Sequence, residues 1–95
     1  MYAVIRQYQF DQSASEELDR QVREIFMPRL KALPGFVTYY WLNNGTGAGA
    51  PLSVFDSREG AKASVRAAAN FVQQHLAGIN MSKPEILEGE VQAHA

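Results

Sequence analysis

The chain has 95 residues, of which 46% are hydrophobic and 20% charged, with a net charge of −1 and no cysteine. That length supports one core, so a single domain over residues 1–95 is expected, and the composition is neither disordered nor that of a membrane span. The balanced charge argues against a nucleic-acid partner, and the lack of cysteine excludes disulfides, zinc–thiolate and iron–sulfur sites and a thiol nucleophile.

Met1 to Arg6 carry no basic region followed by an apolar stretch of signal-peptide length, so a cytoplasmic protein is expected, without a membrane partner. Residues 2 to 10 are rich in aromatic and β-branched types and run into Asp11-Gln12-Ser13, which predicts a first strand. A helix follows, with Ser13 and Glu16 spaced as a capping box and Leu18, Val22, Ile25, Phe26, Leu30 and Leu33 on one stripe. Pro28 falls inside that stripe. It removes a backbone donor, so a kink is expected between Glu24 and Pro28, and Pro34-Gly35 should end the helix.

Phe36 to Leu42 reads as the strongest strand, apolar on both faces. Asn43 to Ala50 reads as a long glycine-rich loop that could act as a mobile lid, and Pro51 to Phe55 as a short third strand. Asp56 or Ser57 should cap a second helix, in which Ala61, Val65, Ala68, Ala69, Val72 and Leu76 recur at helical spacing through to about Ala77. Ile86, Leu87 and Val91, with Glu88 and Glu90 between them, suggest a final strand. The order βαββαβ is the ferredoxin-like α+β fold, a four-stranded antiparallel sheet with both helices on one face. The aromatic residues on the other face of Phe36 to Leu42 then need a cover that one chain cannot supply. A homodimer packed face to face is the expectation.

Few residues carry recognisable chemistry. Gly45-Thr46-Gly47-Ala48-Gly49-Ala50 has the letters of a dinucleotide fingerprint, but a strand, not a helix N-terminus, follows it. His75 and His94 share no metal-ligand spacing, so no closed metal site is expected; His75, on the second helix, suits proton transfer or an axial bond to haem iron, and the alternative is a boundary residue hydrogen-bonded near the helix C-terminus. Arg6 is the one charge in the first strand, on a face with Tyr2, Val4, Tyr8 and Phe10. A guanidinium among rings suits an acidic aromatic ligand, and the alternative is a salt bridge to Glu88 or Glu90 of the neighbouring last strand. Tyr39 and Trp41 could wall a pocket or serve only in packing.

The run Phe26-Met27-Pro28-Arg29-Leu30-Lys31-Ala32-Leu33-Pro34-Gly35-Phe36-Val37-Thr38-Tyr39-Tyr40 resembles the kinked helix, Pro-Gly turn and second strand of the antibiotic biosynthesis monooxygenase-like superfamily, the dimeric α/β barrels. Ser53-Val54-Phe55-Asp56 before an Ala-rich helix, and Pro84 to Val91, are similar to small bacterial members of that group. The resemblance implies two ferredoxin-like subunits, each with a cleft between its sheet and helices. It also implies a cofactor-independent monooxygenase acting on a flat aromatic or polyketide-like molecule, with Arg6, Tyr8, Tyr39, Trp41 and His75 as ligand-binding candidates and no cofactor. The alternative is a non-catalytic dimer, a small-molecule-binding or accessory and stress-response protein. Other members degrade haem with an Asn, Trp and His set. Here Arg6 and Gln7 stand where the Asn is wanted in the first strand, and Trp41 lies in the second strand rather than the third.

Overall fold

A computed structural model describes residues 1–95. Its elements are β1 (Tyr2–Gln9), helix α1 from Ser15 to Lys31, β2 (Phe36–Asn43), β3 (Ala48–Phe55), α2 (Arg58–His75) and β4 (Glu85–Glu90). The strands form one antiparallel sheet in the order β2-β3-β1-β4, which puts β2 at an edge and β4 beside β1, the ferredoxin-like arrangement.

Helix α1 begins differently from the expected capping box. The Asp11 carboxylate accepts from the Ser13 amide at 2.9 Å and the Ser13 hydroxyl at 2.8 Å, opening a 3-10 turn at Gln12–Ala14. Ser13 therefore donates to a cap instead of being one, and its amide, followed by its hydroxyl, holds the Asp11 carboxyl below the usual carboxylate range. The irregularity expected before Pro28 is a π-helical turn, Val22–Phe26, between α-helical Ser15–Gln21 and Met27–Lys31. Proline cannot donate to the carbonyl four residues back, and the wider turn absorbs that loss without ending the helix. Leu18, Val22, Phe26 and Leu30 stay buried on its inner side. The helix stops at Lys31, ahead of Pro34, and Gly35 takes φ 79°, with the Asp56 carboxylate filling the space a side chain there would need.

The segment from Asn43 to Ala50 is not a long loop. β3 starts at Ala48, so only Asn44 to Gly47 separate the strands. Asn43 Oδ1 accepts from the Gly45 amide at 2.9 Å, and Asn44 Oδ1 from the amides of Thr46 at 2.8 Å and Ala48 at 3.1 Å. Positive φ at Gly45 and Gly47 closes the turn, and the Gly47 carbonyl takes the Phe10 amide at 2.9 Å, tying the hairpin to the end of β1. Two asparagine side chains thus satisfy three backbone amides at the turn.

Pro51 sits in the interior strand β3. The β1–β3 pairing runs to Ile5–Leu52 and resumes at Tyr8–Gly49, and the gap lies where Pro51 has no N–H to offer. Ser57, not Asp56, caps α2, its hydroxyl accepting from the Gly60 amide at 3.1 Å. The buried stripe of α2 is Gly60, Ala61, Ser64, Ala68 and Phe71. These mostly small side chains let the helix lie close to the sheet: a Cβ on Gly60 would come within 2.8 Å of the Phe55 ring. Val91 falls just past β4, its amide bonded to the Met1 carbonyl at 2.9 Å.

Both helices cover one face of the sheet. The other face, with Ile5, Tyr40, Leu42 and Leu87, is bare in the single chain; Tyr40 is 60% and Leu87 70% exposed.

Candidate functional site

β-strand alternation turns Val4, Arg6, Tyr8 and Phe10 toward the helices, and all four are buried. On β2 the same rule turns Tyr39, Trp41 and Asn43 inward, Tyr39 standing opposite Ser53 of β3 and Trp41 opposite Pro51. Arg6 is only 3% exposed. The expected alternative of a bridge to the last strand does not occur: Glu88 receives the Tyr2 hydroxyl at 3.4 Å, and Glu90 lies 3.7 Å from the N-terminal amine. The chain's other ion pairs join Arg20 to Glu17 and Glu24, so Arg6 is a buried cation with no carboxylate partner. The β1–β4 pairing explains this, since it puts Ile86 opposite Arg6 and both glutamates nearer the N-terminal end of β1.

The guanidinium instead faces the Phe26 ring, its carbon 5.8 Å from the centroid. Phe26 meets Tyr39 edge-on at 5.7 Å and Phe71 at 5.0 Å, and Phe71 lies 5.5 Å from the His75 ring. Burial pushes the Tyr39 phenol well up from its ordinary pKa, with the Arg6 charge pulling it down and Tyr8 raising it further. Tyr39 is therefore a neutral hydroxyl donor over the working range of pH. The Ser53 hydroxyl, fully buried opposite Tyr39, has no hydrogen-bond partner.

Of the candidates read in the sequence, the fold brings Arg6 and Tyr39 to the Phe26 ring, with Tyr8 near enough to Tyr39 to act on its phenol. His75 lies at the rim, at the end of α2, where its Nε2 is 3.1 Å from Arg29 Nη2, a hydrogen bond in which the guanidinium donates.

Trp41 is directed elsewhere. Its indole Nε1 donates to Asp19 Oδ1 at 2.7 Å, and Asn43 Nδ2 donates to the same oxygen at 2.9 Å. Gly49 makes room for the indole, since a Cβ there would be 2.7 Å from Trp41 Cη2. A groove of about 480 Å³ between α1 and the edge strand is lined by Asp19, Val22, Met27, Tyr39, Tyr40 and Trp41, with Arg23 and Asn43. Asp19, Asn43, Phe26 and Ser53 carry no sign of a site role in the sequence, where Phe26 reads as a core residue of the helical stripe. Asp19 looks like any polar helix position, and its partners lie 22 and 24 residues away.

Comparison with solved structures agrees with this architecture. The chain superposes on a protein of unknown function from Nitrosomonas europaea with a TM-score of 0.82 at 19% identity, covering 99% of this chain and 91% of that one. It superposes on the haem degrader MhuD of Mycobacterium tuberculosis, solved with two haems in its active site, at 0.76 and 19%, covering 100% and 99%. With the ActVA-Orf6 monooxygenase of Streptomyces coelicolor, solved with nanaomycin D, the values are 0.77 and 10%, covering 99% and 89%. No protein-family model and no curated protein matches the sequence. The shared feature is the fold, a ferredoxin-like four-stranded antiparallel sheet with its helices on one face.

Proposed function

We propose that this chain forms a homodimer that binds a flat, acidic aromatic compound against Arg6 and oxidises it as a cofactor-independent monooxygenase. The observation that carries the reading is the buried, unpaired guanidinium. An isolated buried charge costs several kcal/mol, roughly, unless something compensates it, and a phenolate or enolate does so while its ring stacks among Phe26, Tyr8 and Tyr39. Arg6 would favour the substrate's anion, and Tyr39, held neutral, would donate to a second oxygen. The electron-rich substrate anion reacts with dioxygen itself, so the protein's part is to bind, orient and exclude water. The solved monooxygenase and haem degrader of this fold support the reading.

The bare apolar sheet face supports the dimer, because a second copy buries Ile5, Tyr40, Leu42 and Leu87 against their counterparts. The domain in this reading is the whole of residues 1–95, and a cytoplasmic setting suits it; no helix is long and apolar enough to cross a membrane.

A second reading, a non-catalytic binding or accessory dimer, is favoured by the packing at Arg6 and Tyr8. Both are enclosed by core side chains, so a ligand there has to part Phe26 from the sheet. The test is dioxygen uptake with 1,8-dihydroxyanthrone, whose ring CH2 becomes a carbonyl as one O2 is consumed and one water released. Uptake that follows protein concentration and falls in Arg6→Met supports the enzyme. Binding without uptake supports the second reading, and the absence of both overturns the proposal.

A further inference from the structure

We infer that the groove between α1 and the edge strand is a second binding site, for a small organic ammonium ion carrying an apolar or aromatic body. Three observations meet there. The first is the Asp19 carboxylate: two neutral donors, the Trp41 indole and the Asn43 amide, fix Oδ1, and no side chain bonds Oδ2. Neither donor carries a charge, and Asp19 takes part in no ion pair. The carboxylate is thus held in position with its negative charge uncompensated, which is how a cation site is pre-organised.

The second observation is the lining. Tyr39 and Trp41 come from the inward-facing positions of β2, away from the sheet face assigned to the dimer, and Val22 and Met27 from the π-helical region of α1. Aromatic faces beside a carboxylate select a cation with hydrocarbon attached over a hydrated metal ion, since the rings attract positive charge and the apolar body displaces water from them. Arg23, the one cationic residue of the lining, is exposed and its charge is met by solvent.

The third is preformation. The volume of about 480 Å³ exceeds what an arylalkyl ammonium needs. It exists without moving the core, in contrast to the enclosed position at Arg6. On the far side of Asp19 and Asn43 a polar hollow of about 510 Å³, lined also by Gln12, Ser15 and Glu16, leaves room for the ammonium's hydration or for a longer polar substituent. Asp19 therefore stands at the boundary between an apolar and a polar compartment, where the head of such a ligand would sit.

Trp41 is the only tryptophan in the chain, so it supplies a single indole N–H resonance, and that proton lies on the bond to Asp19. The experiment is a titration of the 15N-labelled full chain with 2-phenylethylammonium, with neutral 2-phenylethanol as control, following that resonance. The expected result is a saturable shift for the amine with Kd below about 1 mM, at least about tenfold weaker binding of the alcohol, and at least about tenfold weaker amine binding in Asp19→Asn. No saturable shift, equal binding of amine and alcohol, or undiminished amine binding in a folded Asp19→Asn overturns the site and leaves Asp19 as a structural link between α1 and β2. Should Asp19→Asn fail to fold, the comparison of amine with alcohol on the unaltered chain decides alone.

Discussion

The Arg6 guanidinium lies 5.8 Å from the Phe26 ring centroid, buried between β1 and α1 with an aromatic face where a carboxylate would ordinarily stand. A ring of this kind recovers about 0.5–2 kcal/mol of the cost of burying the charge, well short of the whole. In the proposed function that deficit is what an anionic ligand makes up. Replacing it with the similarly long, uncharged side chain in Arg6→Met should leave the fold intact and raise its stability by about 1–3 kcal/mol, measured by urea unfolding. Loss of stability in Arg6→Met would mean that the charge is already compensated within the fold.

Phe26 joins the two helices to the sheet through Arg6, Tyr39 and Phe71. Phe26→Ala should cost about 3–5 kcal/mol by the same measurement, whereas Phe26→Leu, which keeps most of the volume, should cost less than about 2 kcal/mol.

Tyr39 links stability to alkaline pH. Its phenol is ordinarily near 10 when the chain is unfolded and is raised in the fold, chiefly by burial. Above pH 10 the unfolded chain gives up that proton while the native one keeps it, so this contribution is whole below about pH 10 and is lost as pH rises toward the folded value. Tyr39→Phe should therefore lose stability less steeply above pH 10 than the unaltered chain. Parallel curves would place the titration at another tyrosine.

Gly49 tests the seat of Trp41. A methyl group there would lie 2.7 Å from the indole and 2.8 Å from the Leu42 carbonyl, so Gly49→Ala should cost about 1–3 kcal/mol and shift the tryptophan emission. Gly78→Ala meets nothing within 4 Å and should change stability by less than about 0.5 kcal/mol.

The outer sheet face tests the assembly. The unaltered chain should have about twice the 10.6 kDa chain mass in solution, and Leu87→Lys should shift it toward the monomer while keeping its circular dichroism. A monomer of the unaltered chain at micromolar concentration would contradict the dimer.

The element order, the edge position of β2 and the inward face of β1 could all be read from residue patterns, because strand alternation and the helical stripe through Leu18, Val22, Phe26 and Leu30 depend on local chemistry alone. Pro28 likewise marked its irregularity, though not that the helix would widen into a π turn and continue. The hairpin was misread because Asn43 and Asn44, rather than the glycines, determine it, through three side-chain bonds to backbone amides. Arg6 was legible as the lone charge on an aromatic strand face. Its lack of a partner was not, since that depends on the β1–β4 register, which places Ile86 and not a glutamate opposite it. Asp19 was invisible for a related reason: only the packing of α1 against β2 brings Trp41 and Asn43 to its carboxylate.

The most direct test of the central claim, that Arg6 waits for an acidic aromatic ligand, is calorimetric titration with 1-hydroxy-2-naphthoate of the unaltered chain and of Arg6→Met. The account predicts binding with Kd below about 100 μM that weakens at least about tenfold in the variant. Equal affinity in the two proteins, or no binding to either, would contradict it.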